Sequence, residues 1–302
     1  MSREPDADSA LVPGPWRHRF VSANGGRFHV AETGPDDGPL VVLLHGFPQF
    51  WWAWRHQLTA LGERGYRTVA MDLRGYGASD KPPRGYDTIT SAADVAGVVR
   101  SLGATEAVVA GHGWGGWIAW SMPALQPRVT RAVAALSVAH PLRMRSTGLG
   151  PAGLASVRSL LGFQVPVLPE RSLQAPGTVR GMLRDWSATP GWPTEEEAER
   201  YESAMRIPFV AHSAMEYYRW AVRSLPRPDG LRFARAVSAS IEVPVLQLHG
   251  AADPFVPPAR ARGSSLWVTG PYRWELVEGA GHFLPEEAPG TVTQLLTDWL
   301  RP

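Results

Sequence analysis

Cysteine is absent from the chain, which excludes disulfides, thiolate nucleophiles and Cys-ligated metals. Lysine is nearly absent as well, Lys81 being the only one among 30 basic residues. Charge of one sign is not concentrated anywhere: the formal net charge is only +2, and the arginines are scattered through every segment. A nucleic-acid groove needs basic residues gathered on one face with interleaved aromatics, so that class of partner is not expected. Long apolar runs are missing too, none approaching the roughly 20 residues that span a bilayer. The first residues, Met1 to Gly14, are polar and carry no apolar export signal. The expectation is a cytoplasmic protein with no membrane partner.

What remains is a chain of 302 residues, 44% hydrophobic and 19% charged. That suits one α/β core of about 200 residues with an insertion. Trp16 to Glu32 reads as a hairpin around Asn24-Gly25-Gly26. Leu40 to Leu44, Leu-Val-Val-Leu-Leu, has no polar alternation and predicts a strand covered on both faces. Strand and helix then alternate: helix over Trp51–Arg64, strand over Tyr66–Met71, helix over Ile89–Leu102, strand over Ala107–Ala110, helix over Trp117–Leu125, strand over Ala132–Val138. Such alternation predicts a mostly parallel, doubly wound sheet. It stops at Pro141, where helical stretches broken by Pro, Gly and Trp run to about Ser240. It resumes with strands at Val245–Leu248 and Arg273–Val277 and a last helix over Glu286–Leu300. The domain reading is a core in two parts, residues 1–140 and 241–302, with a helical insertion at 141–240.

Chemistry is concentrated in four segments. Gly111-His112-Gly113-Trp114-Gly115-Gly116 follows a strand and opens a helix, the form of a nucleophile elbow. Its strained turn lifts the central side chain above the sheet. The central residue is Gly113, which has none; a plain Gly-rich turn, holding an anion at the helix start, is the competing reading. His45-Gly46-Phe47-Pro48 follows the central strand, where Phe47 and Trp114 would supply two backbone amides for an oxyanion hole. Asp253 lies in a loop after one late strand and His282 in a loop after the last. The order of elbow, acid and histidine is that of α/β-hydrolases.

These segments, with Asp72-Leu-Arg-Gly-Tyr-Gly-Ala-Ser-Asp80 and Asp253-Pro-Phe-Val, resemble the epoxide hydrolase branch of the α/β-hydrolase superfamily, to which haloalkane dehalogenases are related. The resemblance implies an α/β fold with a mostly parallel eight-stranded sheet, flanking helices and a helical cap. It implies no cofactor and no metal. In the family the elbow carries Asp, which forms an alkyl-enzyme ester that a histidine-activated water then hydrolyses. Gly113 stands at that position, so no ester can form there. Two cap tyrosines are also implied, as proton donors to the epoxide oxygen. Tyr218 matches one of them; Gly162 stands where the other is expected.

The reading is an epoxide hydrolase-like protein for a small hydrophobic substrate or ligand. Any activity would be non-covalent, through His282 and Asp253, the oxyanion amides and Tyr218. A catalytically inactive ligand-binding relative, or an Asp-to-Gly variant of a true epoxide hydrolase, are the alternatives. His45 and His112 read as structural neighbours of the site, and Asp72, Arg74 and Asp80 as staples of the Gly75–Gly77 turn. Monomer and homodimer both remain open.

Overall fold

The computed structural model describes residues 5–145 and 161–301. The first four residues and the 146–160 stretch of the predicted insertion lie outside them. The chain opens with strands β1 (Arg17–Ala23) and β2 (Gly26–Thr33), joined at Asn24-Gly25. Both of those residues have positive φ, 45° and 73°, the mirror-image turn whose twist matches a hairpin. Gly26 belongs to β2 and pairs with Ala23.

Then come β3 (Leu40–Leu44), α1 (Arg55–Gly62), β4 (Arg67–Met71), α2 (Thr88–Ser101), β5 (Ala107–His112), α3 (Trp114–Leu125) and β6 (Thr130–Leu136). After the insertion, β7 (Val245–Gly250) and β8 (Tyr272–Val277) complete one sheet. Its eight strands run in the order β1-β2-β4-β3-β5-β6-β7-β8. β2 alone runs against the others, pairing antiparallel with β1 and β4. The all-apolar β3 is buried along its whole length between β4 and β5. Helices cover both faces of such a strand, so neither face has a polar residue to present.

Two differences from the sequence reading bear on the site. Helix α3 begins at Trp114, directly after Gly113, where the glycine pair had suggested a longer turn. Those glycines are in the helix because it crosses the sheet at close range. A Cβ at Gly115 would lie 2.2 Å from the Leu44 carbonyl oxygen, and one at Gly116 would lie 2.5 Å from Val138 Cγ1. The C-terminal helix is broken in two, at Leu284–Glu287 and Pro289–Leu300. Pro289 cannot donate the backbone hydrogen bond that would join them.

Between β6 and β7 the chain forms six described helices: α4 (Pro141–Arg145), α5 (Leu168–Gln174), α6 (Thr178–Trp186), α7 (Glu195–Arg206), α8 (Val210–Arg223) and α9 (Pro228–Ala236). A capping box between Thr194 and Glu197 starts α7, satisfying amides that have no intrahelical partner. The inserted helices are tied to the sheet by buried polar groups. Tyr201 donates to Glu286 at 2.6 Å, Arg55 bridges Glu286 and Glu197, and Tyr217 donates to the Arg74 carbonyl at 2.9 Å. The insertion thereby covers the carboxyl ends of the parallel strands, where α/β sheets bind ligands.

Candidate active site

The loops after β7 and β8 bring Asp253 and His282 together. His282 Nδ1 lies 2.9 Å from Asp253 Oδ2, and both residues are at least 95% buried. Asp253 Oδ1 accepts the Phe255 and Val256 amides at 2.8 and 3.0 Å. Burial would raise this carboxyl, but the charge and hydrogen bond of His282 and the nearby His249 hold it below its ordinary range. An ionised carboxylate can only accept, so His282 Nδ1 carries a proton, and in the neutral form of the ring Nε2 is left with a lone pair. The His282 amide is fixed by the carbonyl of Trp186, at 2.9 Å.

That lone pair faces the elbow. Gly113 has φ 53° and ψ −116°, a backbone conformation that costs an L-residue about 1–3 kcal/mol. A Cβ built on Gly113 would meet only Gly46 Cα at 3.4 Å and His282 Nε2 at 3.7 Å. There is therefore space above Gly113, bounded on one side by the imidazole. Phe47 and Trp114 follow Gly46 and Gly113 in the two adjoining turns and line the cavity above them, and neither amide has a backbone partner among the described residues. Trp114 is the first residue of α3, so its N–H also carries the positive end of a twelve-residue helix dipole.

Above the elbow lies a cavity of about 170 Å³, slightly larger than one that accommodates benzene. Its walls are largely aromatic, with Phe47, Trp114, Trp117, Trp186, Tyr218 and Phe255 all contributing. Tyr218, on α8, packs edge-on against Trp114 at 5.1 Å and Phe47 at 5.3 Å. Burial pushes its hydroxyl far above the ordinary phenol range, so it keeps its proton in the fold. Gly162 is not among the cavity-lining residues; it is exposed, with open space where a Cβ would stand. Its neighbour Phe163 supplies the ring on that side, 4.9 Å from Tyr218.

Residues 39–289 match the alpha/beta hydrolase fold family. The chain belongs to that family. A Bacillus subtilis AB hydrolase superfamily protein is 33% identical over 94% of this chain and 97% of its own length. Epoxide hydrolase A of Mycobacterium tuberculosis is 32% identical over 93% of this chain and 96% of its own. Among solved structures, epoxide hydrolase A from Mycobacterium thermoresistibile superposes with a TM-score of 0.81 at 32% identity, covering 95% of this chain and 98% of its own. An epoxide hydrolase from an endophytic Streptomyces gives 0.82 at 31%, covering 95% and 96%.

The remaining residues singled out in the sequence take up positions in this α/β-hydrolase around the site. His45 accepts the Leu73 amide on Nε2 and donates from Nδ1 to the Gly46 carbonyl, at 3.1 and 2.9 Å, joining two loops. His112 donates from Nε2 to the His282 carbonyl at 2.8 Å. Asp72 accepts the Trp51 and Ala78 amides and faces His29, Arg74 pairs with Asp94, and Asp80 accepts the Arg27 amide.

Glu287 went unnoticed in the sequence and does more than any of these. Its carboxylate accepts the amides of Gly281 and Phe283, on either side of His282, and those of Ala188 and Thr189 in the insertion. No motif marks it; only the fold gathers four amides and the Thr189 hydroxyl around one side chain. Among the described residues no group of three or more His, Cys, Asp or Glu could hold a metal ion.

Two buried imidazoles give this α/β-hydrolase a steep acid limit. Burial pushes His112 down to about 3, helped by repulsion from His282, and pushes His140 down to about 3 by burial alone. Both are neutral in the fold, yet protonate near 6.5 in the unfolded chain. The unfolded state therefore binds more protons below pH 6.5. Stability is fully present above that value and falls as pH drops toward 3, by about 1.4 kcal/mol per unit for each imidazole. The two imidazoles together remove about 4 kcal/mol of stability between pH 7 and pH 5, while Glu286, raised by burial to about 7, acts in the opposite sense. In denaturant unfolding His140→Phe, which keeps a ring against Trp267, should therefore lose about 2 kcal/mol less than the parent chain over that interval. An identical pH dependence in parent and variant would contradict the assignment.

Proposed function

We propose that this α/β-hydrolase acts on a small hydrophobic substrate of the epoxide class without forming an enzyme ester at position 113. The observation that carries this is the lone pair of His282 Nε2 facing the space above Gly113, backed by Asp253 on the other ring nitrogen. A water needs about 30 Å³ and polar partners. The absent side chain leaves that room beside a base and two amide donors.

In the proposed reaction a water held there attacks a ring carbon, and His282 Nε2 takes its proton. The carbon–oxygen bond of the epoxide breaks, and its electron pair goes to the ring oxygen. Tyr218, kept protonated by burial, donates to that oxygen. The Phe47 and Trp114 amides donate to the oxygen of the attacking water and hold it beside the elbow. Asp253 orients His282 and stabilises the imidazolium it becomes. The helical insertion acts as a cap, its aromatic walls holding the apolar body of the substrate.

A panel of aryl and alkyl epoxides with one haloalkane tests the proposal. Turnover should appear on at least one epoxide, fall by roughly 100- to 10,000-fold in His282→Ala, and fall by a smaller factor in Tyr218→Phe. The haloalkane, whose halide leaves without needing a proton, should be insensitive to Tyr218→Phe. A rate unchanged by His282→Ala would refute the proposal.

A further inference from the structure

Helix α6 ends at Trp186, and Ser187-Ala188-Thr189 after it run against the loop that carries His282. The approach is close. The His282 amide donates to the Trp186 carbonyl at 2.9 Å, and a Cβ on Gly281 would lie 2.7 Å from both that carbonyl oxygen and the Ala188 nitrogen. Glycine precedes His282 because backbone of the insertion occupies the place of a side chain. Trp186 also sets its ring edge-on to the His282 imidazole, with centres 5.8 Å apart, and lines the cavity above the elbow. The proposed base and one aromatic wall thus meet along a single seam.

Glu287, buried at the end of the short helix Leu284–Glu287, holds both sides of that seam. Its Oε1 accepts the Phe283 amide at 2.7 Å. Its Oε2 accepts the Gly281 amide at 2.8 Å, the Ala188 amide at 2.7 Å, and the Thr189 amide and hydroxyl at 3.1 Å each. Two of these donors flank His282 in sequence and three come from the insertion. All are donors, which suits an ionised carboxylate because it can only accept. The neighbouring Glu286 is engaged elsewhere, accepting from Gln49, Arg55 and Tyr201. Both carboxylates join the insertion to the core, and of the two only Glu287 grips the backbone on either side of His282.

We infer that Glu287 is a positioning residue: it fixes His282 facing the space above Gly113 and locks the Trp186 wall of the cavity to it, so that base and wall shift together. This deepens the proposed function by adding a residue that acts through His282, and rests on that reading for the role of His282 as base. Substitution separates the two sides of the seam. Gln at 287 would keep its oxygen where Oε2 meets four donors and turn its NH₂ toward the single Phe283 amide, setting donor against donor. The residue after His282 is then released while the hold on the insertion survives. Ala at 287 releases both.

NMR hydrogen exchange on the full chain and on Glu287→Gln, Glu287→Ala and Glu286→Gln tests this without substrate. In Glu287→Gln the Phe283 amide should exchange about 10- to 100-fold faster, as expected for loss of a hydrogen bond to a charged acceptor, while Gly281, Ala188 and Thr189 stay within about threefold of the parent. The His282 Nδ1 proton, bonded to Asp253, should exchange about tenfold faster. Glu287→Ala should quicken all of these; if it fails to fold, Glu287→Gln, of the same size, carries the test. Glu286→Gln, which loosens the insertion at another point, should leave the His282 ring proton as in the parent. For any epoxide turned over, Glu287→Gln should lower kcat about 100-fold with KM within about threefold, since the Trp186 wall stays in place. A carboxylate that only stabilised the fold would free the amides and leave the ring proton and kcat unmoved. A ring proton unchanged in folded Glu287→Gln, or quickened as much by Glu286→Gln, would overturn the inference. A chain that turns over no epoxide would remove the proposed reaction, and the ring proton would still decide whether Glu287 positions His282.

Discussion

Replacing Gly113 with Asp is expected to create a trappable alkyl-enzyme ester on residue 113 when the variant meets an epoxide. The geometry gives the reason. A Cβ at 113 would enter open space at ordinary contact distances from Gly46 and His282, so a carboxylate can be accommodated without moving either loop. The backbone is already in the strained conformation of an elbow, and Asp would cost about 1–3 kcal/mol of stability there. One carboxylate oxygen would attack the ring carbon as the ring oxygen takes a proton from Tyr218. His282 would then activate water against the ester carbonyl, with the Phe47 and Trp114 amides holding the oxyanion. A gain of at least 1,000-fold in turnover, roughly 4 kcal/mol of barrier, is the expected scale. Mass spectrometry of rapidly quenched protein would locate the ester. A stable, folded variant with no adduct and no gain would mean that the aromatic walls do not present an epoxide to the elbow.

Asp253→Asn should be nearly as damaging to turnover by the Gly113 chain as loss of His282 itself. The backbone dictates which way the new amide points. Phe255 and Val256 both donate to Oδ1 of Asp253, so the oxygen of Asn would stay with them and its NH₂ would face His282 Nδ1. Nδ1 would then have to accept, and the ring proton would move to Nε2, the atom that must act as base. A change of that kind in a comparable pair lowers kcat by about 10,000-fold, and the same order is expected here. Nitrogen-15 NMR of the His282 ring reads the tautomer directly, without any substrate. Proton still on Nδ1 together with full activity would contradict the tautomer argument.

The sheet and the ends of the site were legible in the sequence for a physical reason. Continuous apolar strands such as Leu40–Leu44 and glycine-lined turns such as 111–116 are written locally, in burial and backbone demands that few other sequences satisfy. His282 and Asp253 were legible because they follow strands in a fixed order. The insertion was legible only as a run of helices over 141–240; which of its residues face the elbow was not, since its helices are set by contacts with the sheet and not by a repeat of their own. Gly162 illustrates this: the sequence put it over the elbow, while the fold turns it outward and uses Phe163. Glu287 is the opposite case. It is an ordinary charged residue in sequence, and only the folded chain shows four amides converging on it.

The central claim is that water reaches the substrate directly, without passing through an enzyme ester, and a single-turnover reaction in oxygen-18 water tests it most directly. With enzyme in excess over epoxide, the Gly113 chain should place the heavy isotope in the diol during the first turnover. Gly113→Asp should instead deliver an unlabelled oxygen from its own carboxylate and retain the label in the protein. Unlabelled diol from the first turnover of the Gly113 chain would mean that another protein carboxylate forms an ester, and would contradict the account.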